Sequence, residues 1–265
     1  MSATRWGVIL VAGLGALAAA WFFWLKPPPA APAVPAPAAE AAIEAPPPAA
    51  DYPVPPAAPE AAALPSIDDS DDAFRRALLG VPGAQPLEAW LIPDLLIRRI
   101  VVTIDNLPRE RVALKLRPLR PVDGAFRVLE RDDGTATLDD ANSDRYDAAM
   151  AVLTALDDEA LVALYFRWYP LFQKAYQELG YPGASFNNRL IAVIDHLIAT
   201  PKPATPITLV KPKIYWEYAD PALEHASYGR RLLWRIGGEH RAALVARLIA
   251  IRGRIVTGGV AATAR

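Results

Sequence analysis

The sequence predicts a mainly α protein: a compact multi-helix domain with one or two small β-hairpins, preceded by a transmembrane helix and a disordered Pro/Ala-rich stalk. Three observations carry this expectation. Residues 6–25 are uncharged and largely apolar, the stretch from Pro27 to Pro65 holds 14 prolines in 39 positions, and beyond Ile67 apolar residues recur mostly at helical spacing. The chain therefore divides into a cytoplasmic N-terminus (1–5), a span (6–25), a linker (26–66), a folded helical domain (67–257) and a frayed C-terminal tail (258–265).

The span comes first. About twenty residues at 1.5 Å each cross a hydrocarbon core of about 30 Å. Arg5 and Lys26 close its ends, with Trp6 at one edge and Trp21 and Trp24 near the other, where indole rings favour the interface. A cleaved signal peptide is the alternative, with Ala18–Ala20 as a small-residue cleavage site. The apolar run continues past that site through Trp21–Leu25, which a processed peptide does not need. Arg5 and the free amino terminus outweigh Lys26. The charge bias thus places the N-terminus in the cytoplasm and the domain in the periplasm, as a single-pass protein of a bacterial inner membrane.

The linker is built from proline and alanine. Proline fixes φ and removes a donor, so helix and sheet do not persist. The segment reads as a polyproline-like spacer of at most roughly 120 Å. Asp68, Asp69, Asp71 and Asp72 end it, and Ser70 followed by acids suits a helix start.

Within the domain, Phe74–Leu79 reads as a short helix and Leu87–Leu91 as the start of another, interrupted at Pro93. Asp94–Asn106 reads as helix, although the β-branched run Ile100–Ile104 also suits a strand. Phe126–Leu138 reads as a hairpin turning at Asp133-Gly134. Arg145–Ala155 follows as a helix, with Asn142 as its cap. The next segment is apolar on two faces, Leu161, Leu164, Trp168, Leu171 and Ala175 on one and Tyr165, Tyr169, Phe172 and Tyr176 on the other, so it should be central. Pro170 is expected to kink it or to begin a new helix, and Gly180 suits its end. Asn188–Ala199 is a further helix. Ile207–Leu209 and Ile214–Trp216 read as short strands, and Pro221–Ile236 and Glu239–Ile255 as two closing helices.

Several phrases fit together along this domain. They are Ile104-Asp105-Asn106-Leu107-Pro108, Asp144-Arg145-Tyr146-Asp147, Tyr169-Pro170-Leu171-Phe172-Gln173-Lys174-Ala175-Tyr176, Glu178-Leu179-Gly180-Tyr181-Pro182, Phe186-Asn187-Asn188-Arg189-Leu190-Ile191, Ile194-Asp195-His196-Leu197 and Tyr218-Ala219-Asp220-Pro221-Ala222-Leu223-Glu224. Their order resembles the proteobacterial domain-of-unknown-function family numbered 3014. The resemblance covers nearly the whole folded domain. The family's usual layout, a membrane helix and then a proline-rich segment, is similar too. The resemblance implies no activity and carries over no catalytic residue.

Composition narrows the chemistry. No cysteine is present, which excludes disulfides and thiolate chemistry. Twenty-eight basic residues against 29 acidic ones argue against wholesale nucleic-acid binding. The three histidines, His196, His225 and His240, each follow an acid directly and match no zinc spacing. Asp140–Asp144 begins like a calcium loop, but Arg145 replaces the required glycine and Ala151 the required glutamate. No metal and no cofactor are therefore expected, and no catalytic residue is assigned.

Two candidate sites remain. Asp105, Asn106, Arg145, Asp147, Arg189, Asp195 and Glu224 are polar groups inside apolar phrases. They form either a polar cleft or a set of internal salt bridges. Arg230, Arg231, Arg235, Arg241, Arg247, Arg252 and Arg254 make the last two helices basic, with eight arginines against one acid from His225 to Arg265. Asp123–Glu159 carries eleven acids against three bases. The basic set is a candidate face for an anionic lipid, polymer or acidic envelope protein, or else it answers the acidic set. The expectation is a non-enzymatic, membrane-tethered scaffold or interaction domain. The alternative is a cell-wall-active or other hydrolase using paired carboxylates.

Overall fold

Eight α-helices and one small sheet organise residues 51–55 and 63–263, which are those the computed structural model describes. The expected span at Trp6–Leu25 and linker residues 26–50 and 56–62 lie outside the described residues. Among those described, no helix is long and apolar enough to cross a membrane.

The helices are α1 (Asp71–Leu79), α2 (Leu96–Asn106), α3 (Asp147–Ala155), α4 (Asp158–Glu178), α5 (Phe186–Ile198), α6 (Pro221–Glu224), α7 (Tyr228–Arg235) and α8 (Gly238–Thr263). The strands are β1 (Val128–Glu130), β2 (Ala136–Leu138), β3 (Thr208–Val210) and β4 (Glu217–Tyr218). They form one antiparallel sheet in the order β1-β2-β3-β4. The two hairpins are thus joined through β2 and β3, which pair Ala136 with Leu209.

Helix α4 lies at the centre and touches α1, α2, α5 and α8. Its aromatic residues explain this. Trp168 meets Phe74 of α1 edge-on at 5.2 Å, and Phe172 stacks on Phe186 of α5 at 5.8 Å. Such ring pairs add roughly 0.5–1.5 kcal/mol each beyond area burial. One apolar cluster joins α1, α2, α4 and Phe186, and a second joins α4, α5 and α8 through Val162, Ile191, Ile194 and Ile255. A third sits under the sheet around Leu209, Tyr218 and Trp234.

Local chemistry sets the ends. Asp157, Ser185, Asp220 and Ser227 cap α4, α5, α6 and α7 by accepting backbone N–H bonds. Gly180, just past the end of α4, has φ of 112°, which favours glycine. Gly229 lets α7 approach closely: an added Cβ would lie 2.5 Å from Leu197 of α5.

Several expectations are corrected. Helix α4 runs on through Pro170, so no new helix begins there, and packing on four neighbours outweighs one lost backbone bond. By contrast, the helix expected over Asp94–Asn106 is present, Ile100–Ile104 included, since Val101 and Ile97 must face the same core. Asn142 caps nothing. It is buried and bonds Arg127 N, Arg127 O and Asp139 O, while Asp139 accepts from Ala141 N at the start of a 3-10 turn. Ser70 stands at the start of α1 as expected, with Asp71 and Asp72 in the first turn; its hydroxyl donates to Ile67 O, and Asp71 accepts from Leu95 N and Leu96 N at the start of α2. Leu87 lies in a 3-10 turn over Gln85–Ala89. The last strand is Glu217–Tyr218, and Ile214 and Tyr215 are exposed. The stretch Pro221–Ile236 divides at Ser227, and α8 continues to Thr263.

Candidate functional site

The seven groups of the proposed polar cleft are dispersed among different partners. Asp105, in the last turn of α2, has its side chain 3% exposed and accepts from Arg189 Nε at 2.9 Å and Arg109 Nη2 at 2.8 Å. Arg189 also donates to Asp105 O at 2.7 Å, and Arg109 reaches Tyr181 OH at 2.9 Å. Burial, with Asp105 adding to it, holds the nearby Tyr176 hydroxyl above its ordinary range. Asn106 contributes its carbonyl to Arg109 N. Asp147 bonds His240 at 2.8 Å, Arg145 donates to Asp123 O at 3.1 Å, Asp195 accepts from Nε and Nη2 of Arg252, and Glu224 pairs with Arg231 at 3.4 Å. Only Asp105 and Arg189 of the seven come together. The four carboxylates thus answer different partners in different parts of the domain and do not converge on one cleft.

The basic helices are bound up in the same way. Arg231 also donates to Glu110 O at 2.5 Å, and Arg241 donates to Thr200 O at 2.9 Å. Arg247 donates to Leu153 O and Leu156 O, closing the open carbonyl end of α3, and pairs with Asp158 at 2.6 Å. Arg235 lies over the rings of Phe126 and Tyr218. Arg230 sits by His196, whose basicity falls through burial first and then through Arg230 and Arg189. Arg254 is exposed. Reversing Arg247 or Arg252 would therefore disturb helix packing as well as any outer surface.

The sequence reading missed a different site. Residues Asp51–Pro55, assigned to the linker, lie against the domain where α5 begins. Tyr52 N donates to Asn188 Oδ1 at 2.9 Å, and Asn187 Nδ2 donates to Tyr52 O at 2.9 Å. Asn188 Nδ2 reaches Asp51 Oδ1 at 3.3 Å. Asn187 is fully buried, and Tyr165 OH donates to its Oδ1 at 2.9 Å, which turns the amide donor toward the linker. The Tyr52 ring packs on the α4/α5/α8 cluster, with the Arg252 guanidinium 6.0 Å from its centre. Asp195 fixes that guanidinium with contacts of 2.5 and 3.0 Å. The result is a seat that reads backbone and side chain together.

Beside this seat lies an apolar cleft of about 300 Å³, walled by α1, α2, α4, α5 and α8. Among the described residues, no group of three or more His, Asp or Glu could hold a metal ion.

The described residues thus form a mainly helical domain with a small antiparallel sheet, in which the candidate charged groups have separate partners. A family model described as protein of unknown function (DUF3014) matches residues 96–252, and the chain belongs to that family. Neither a curated protein nor a solved structure matches the chain.

Proposed function

We propose that the protein is a membrane-tethered, non-catalytic interaction or scaffold domain of the bacterial envelope, displayed in the periplasm on a proline-rich spacer. The observation that carries this reading is the grip of Asn187 and Asn188 on Tyr52, because it joins the domain to its tether at a defined point. A domain that must present one face at a distance is served by such a joint. The separate pairing of Asp105, Asp147, Asp195 and Glu224 supports the same reading over hydrolysis by paired carboxylates. An envelope protein is the favoured partner. An anionic lipid or polymer finds less support, since most of the arginines already serve internal carbonyls and carboxylates.

The test has two parts. A reporter fused after Arg265 should be active only on the periplasmic side, and cytoplasmic activity would overturn the placement. The purified full chain should not turn over cell-wall fragments. Turnover lost in Asp105→Asn or Asp195→Asn would reverse the reading in favour of an enzyme.

A further inference from the structure

No charged side chain lines the apolar cleft. Its walls meet where the two main apolar clusters adjoin, and Ile104 of α2, Leu164 of α4, Ile194 of α5 and Ile251 of α8 face it from four helices. The one hydroxyl among its lining residues belongs to Tyr165 and is committed to Asn187. No lining side chain is left to bond a polar ligand. Ordered water is a poor occupant for the same reason, since a buried water needs two to four polar partners.

Volume decides among the remaining occupants. A partner helix, about 10 Å across, is too wide to enter a space of about 300 Å³ whole. An extended peptide would bring unpaired N–H and C=O groups against hydrocarbon walls, which is costly. A single unbranched aliphatic chain meets both limits. At about 30 Å³ per methylene, close to the share of one water molecule, the space takes roughly ten carbons. A two-chain lipid carries too much hydrocarbon for it.

We propose that this cleft is a binding site for one medium-length aliphatic chain, as in a single-chain fatty acid, whose polar head stays in water. The site does not depend on where the anchor places the domain, so it goes beyond the tethering reading and can fail separately from it.

The probe is decanoic acid carrying a terminal photoreactive diazirine. The full-length chain is held in an amphipathic polymer, because detergent alkyl chains would compete. After irradiation and digestion, the label should map to the α5 and α8 peptides around Ile194 and Ile251, and excess unlabelled decanoate should displace it. Ile251→Trp, which fills the space, should cut that labelling by roughly tenfold or more. Leu161→Trp on α4 repeats the test from a different wall should the first variant fold poorly. A label confined to residues 6–25, or labelling unchanged in a folded tryptophan variant, would overturn the proposal. So would labelling by a diazirine-bearing diacyl phospholipid in place of the fatty acid.

Discussion

Two arginine–aspartate centres stand at either end of helix α5, and they differ in kind. Arg189 near its start meets Asp105, a carboxylate almost wholly buried and held by two arginines. Asp195 near its end meets Arg252 with both side chains about a third to a half exposed. The first centre ties α2 to α5 and completes the polar groups of a helix end. The second fixes a guanidinium against Tyr52 of the linker. Similar chemistry thus serves as a lock inside the fold and as part of a seat at its edge. Burial separates the two, because desolvation makes a missing partner costly.

The largest effect should therefore come from the lock. Arg189→Met keeps the stem but leaves Asp105 Oδ1 and Asp105 O without their donors, with only the half-exposed Arg109 remaining. Breaking one partner of a buried pair costs about 3 kcal/mol or more. Urea unfolding should show that loss, and a change under about 1 kcal/mol would mean that the centre is as forgiving as a surface pair.

Asn187→Leu comes next. It removes a fully buried amide that serves Tyr165 OH and Tyr52 O, so about 2 kcal/mol should be lost. It should also free residues 51–55, read as faster amide exchange there and easier proteolysis near Tyr52. Loss of stability without that release would mean that the amide only supports α5, and the seat would not be real.

The two centres were unequally legible in the sequence. Asp105 and Arg189 stood out because both are charged residues inside apolar phrases, and that pattern does report burial. It could not report pairing, so it grouped Asp147, Asp195 and Glu224 with them although each has its own partner. The Tyr52 seat was hidden because its halves are about 135 residues apart and Asn187-Asn188 reads as an ordinary polar helix start. One signal was available: Tyr52 is the sole aromatic residue between Trp24 and Phe74. The helices were readable because apolar spacing fixes a buried face. The exceptions were local rules that tertiary contacts override, as when α4 carries Pro170 within its length and when Asp71 caps a different helix from its own.

At the seat itself, Asp195→Asn should cost under about 1 kcal/mol, because the pair it weakens is partly open to solvent. Its more telling consequence is on the linker. Arg252 would lose the carboxylate that holds it over the Tyr52 ring, so exchange at residues 51–55 should rise while α5 and α8 stay protected. Equal exchange in the variant would show that the two asparagines hold the linker without help from the cation.

The smallest effect should appear only on acidification, and it tests whether charge near the end of α5 is fully balanced. His196 bonds Ser227 at 2.7 Å and faces Arg230 and Arg189. Burial first, and those arginines second, hold its imidazole below the ordinary value of 6.5. The unfolded chain therefore takes up this proton before the folded one. Stability from the neutral ring is complete above pH 6.5 and is lost as pH falls through the folded value. The difference between the wild type and His196→Gln isolates this ring. The glutamine variant should lose less stability between pH 8 and pH 5 than the parent does. Parallel curves would place the acid sensitivity elsewhere and leave Arg252–Asp195 as the weaker end of the helix on charge grounds alone.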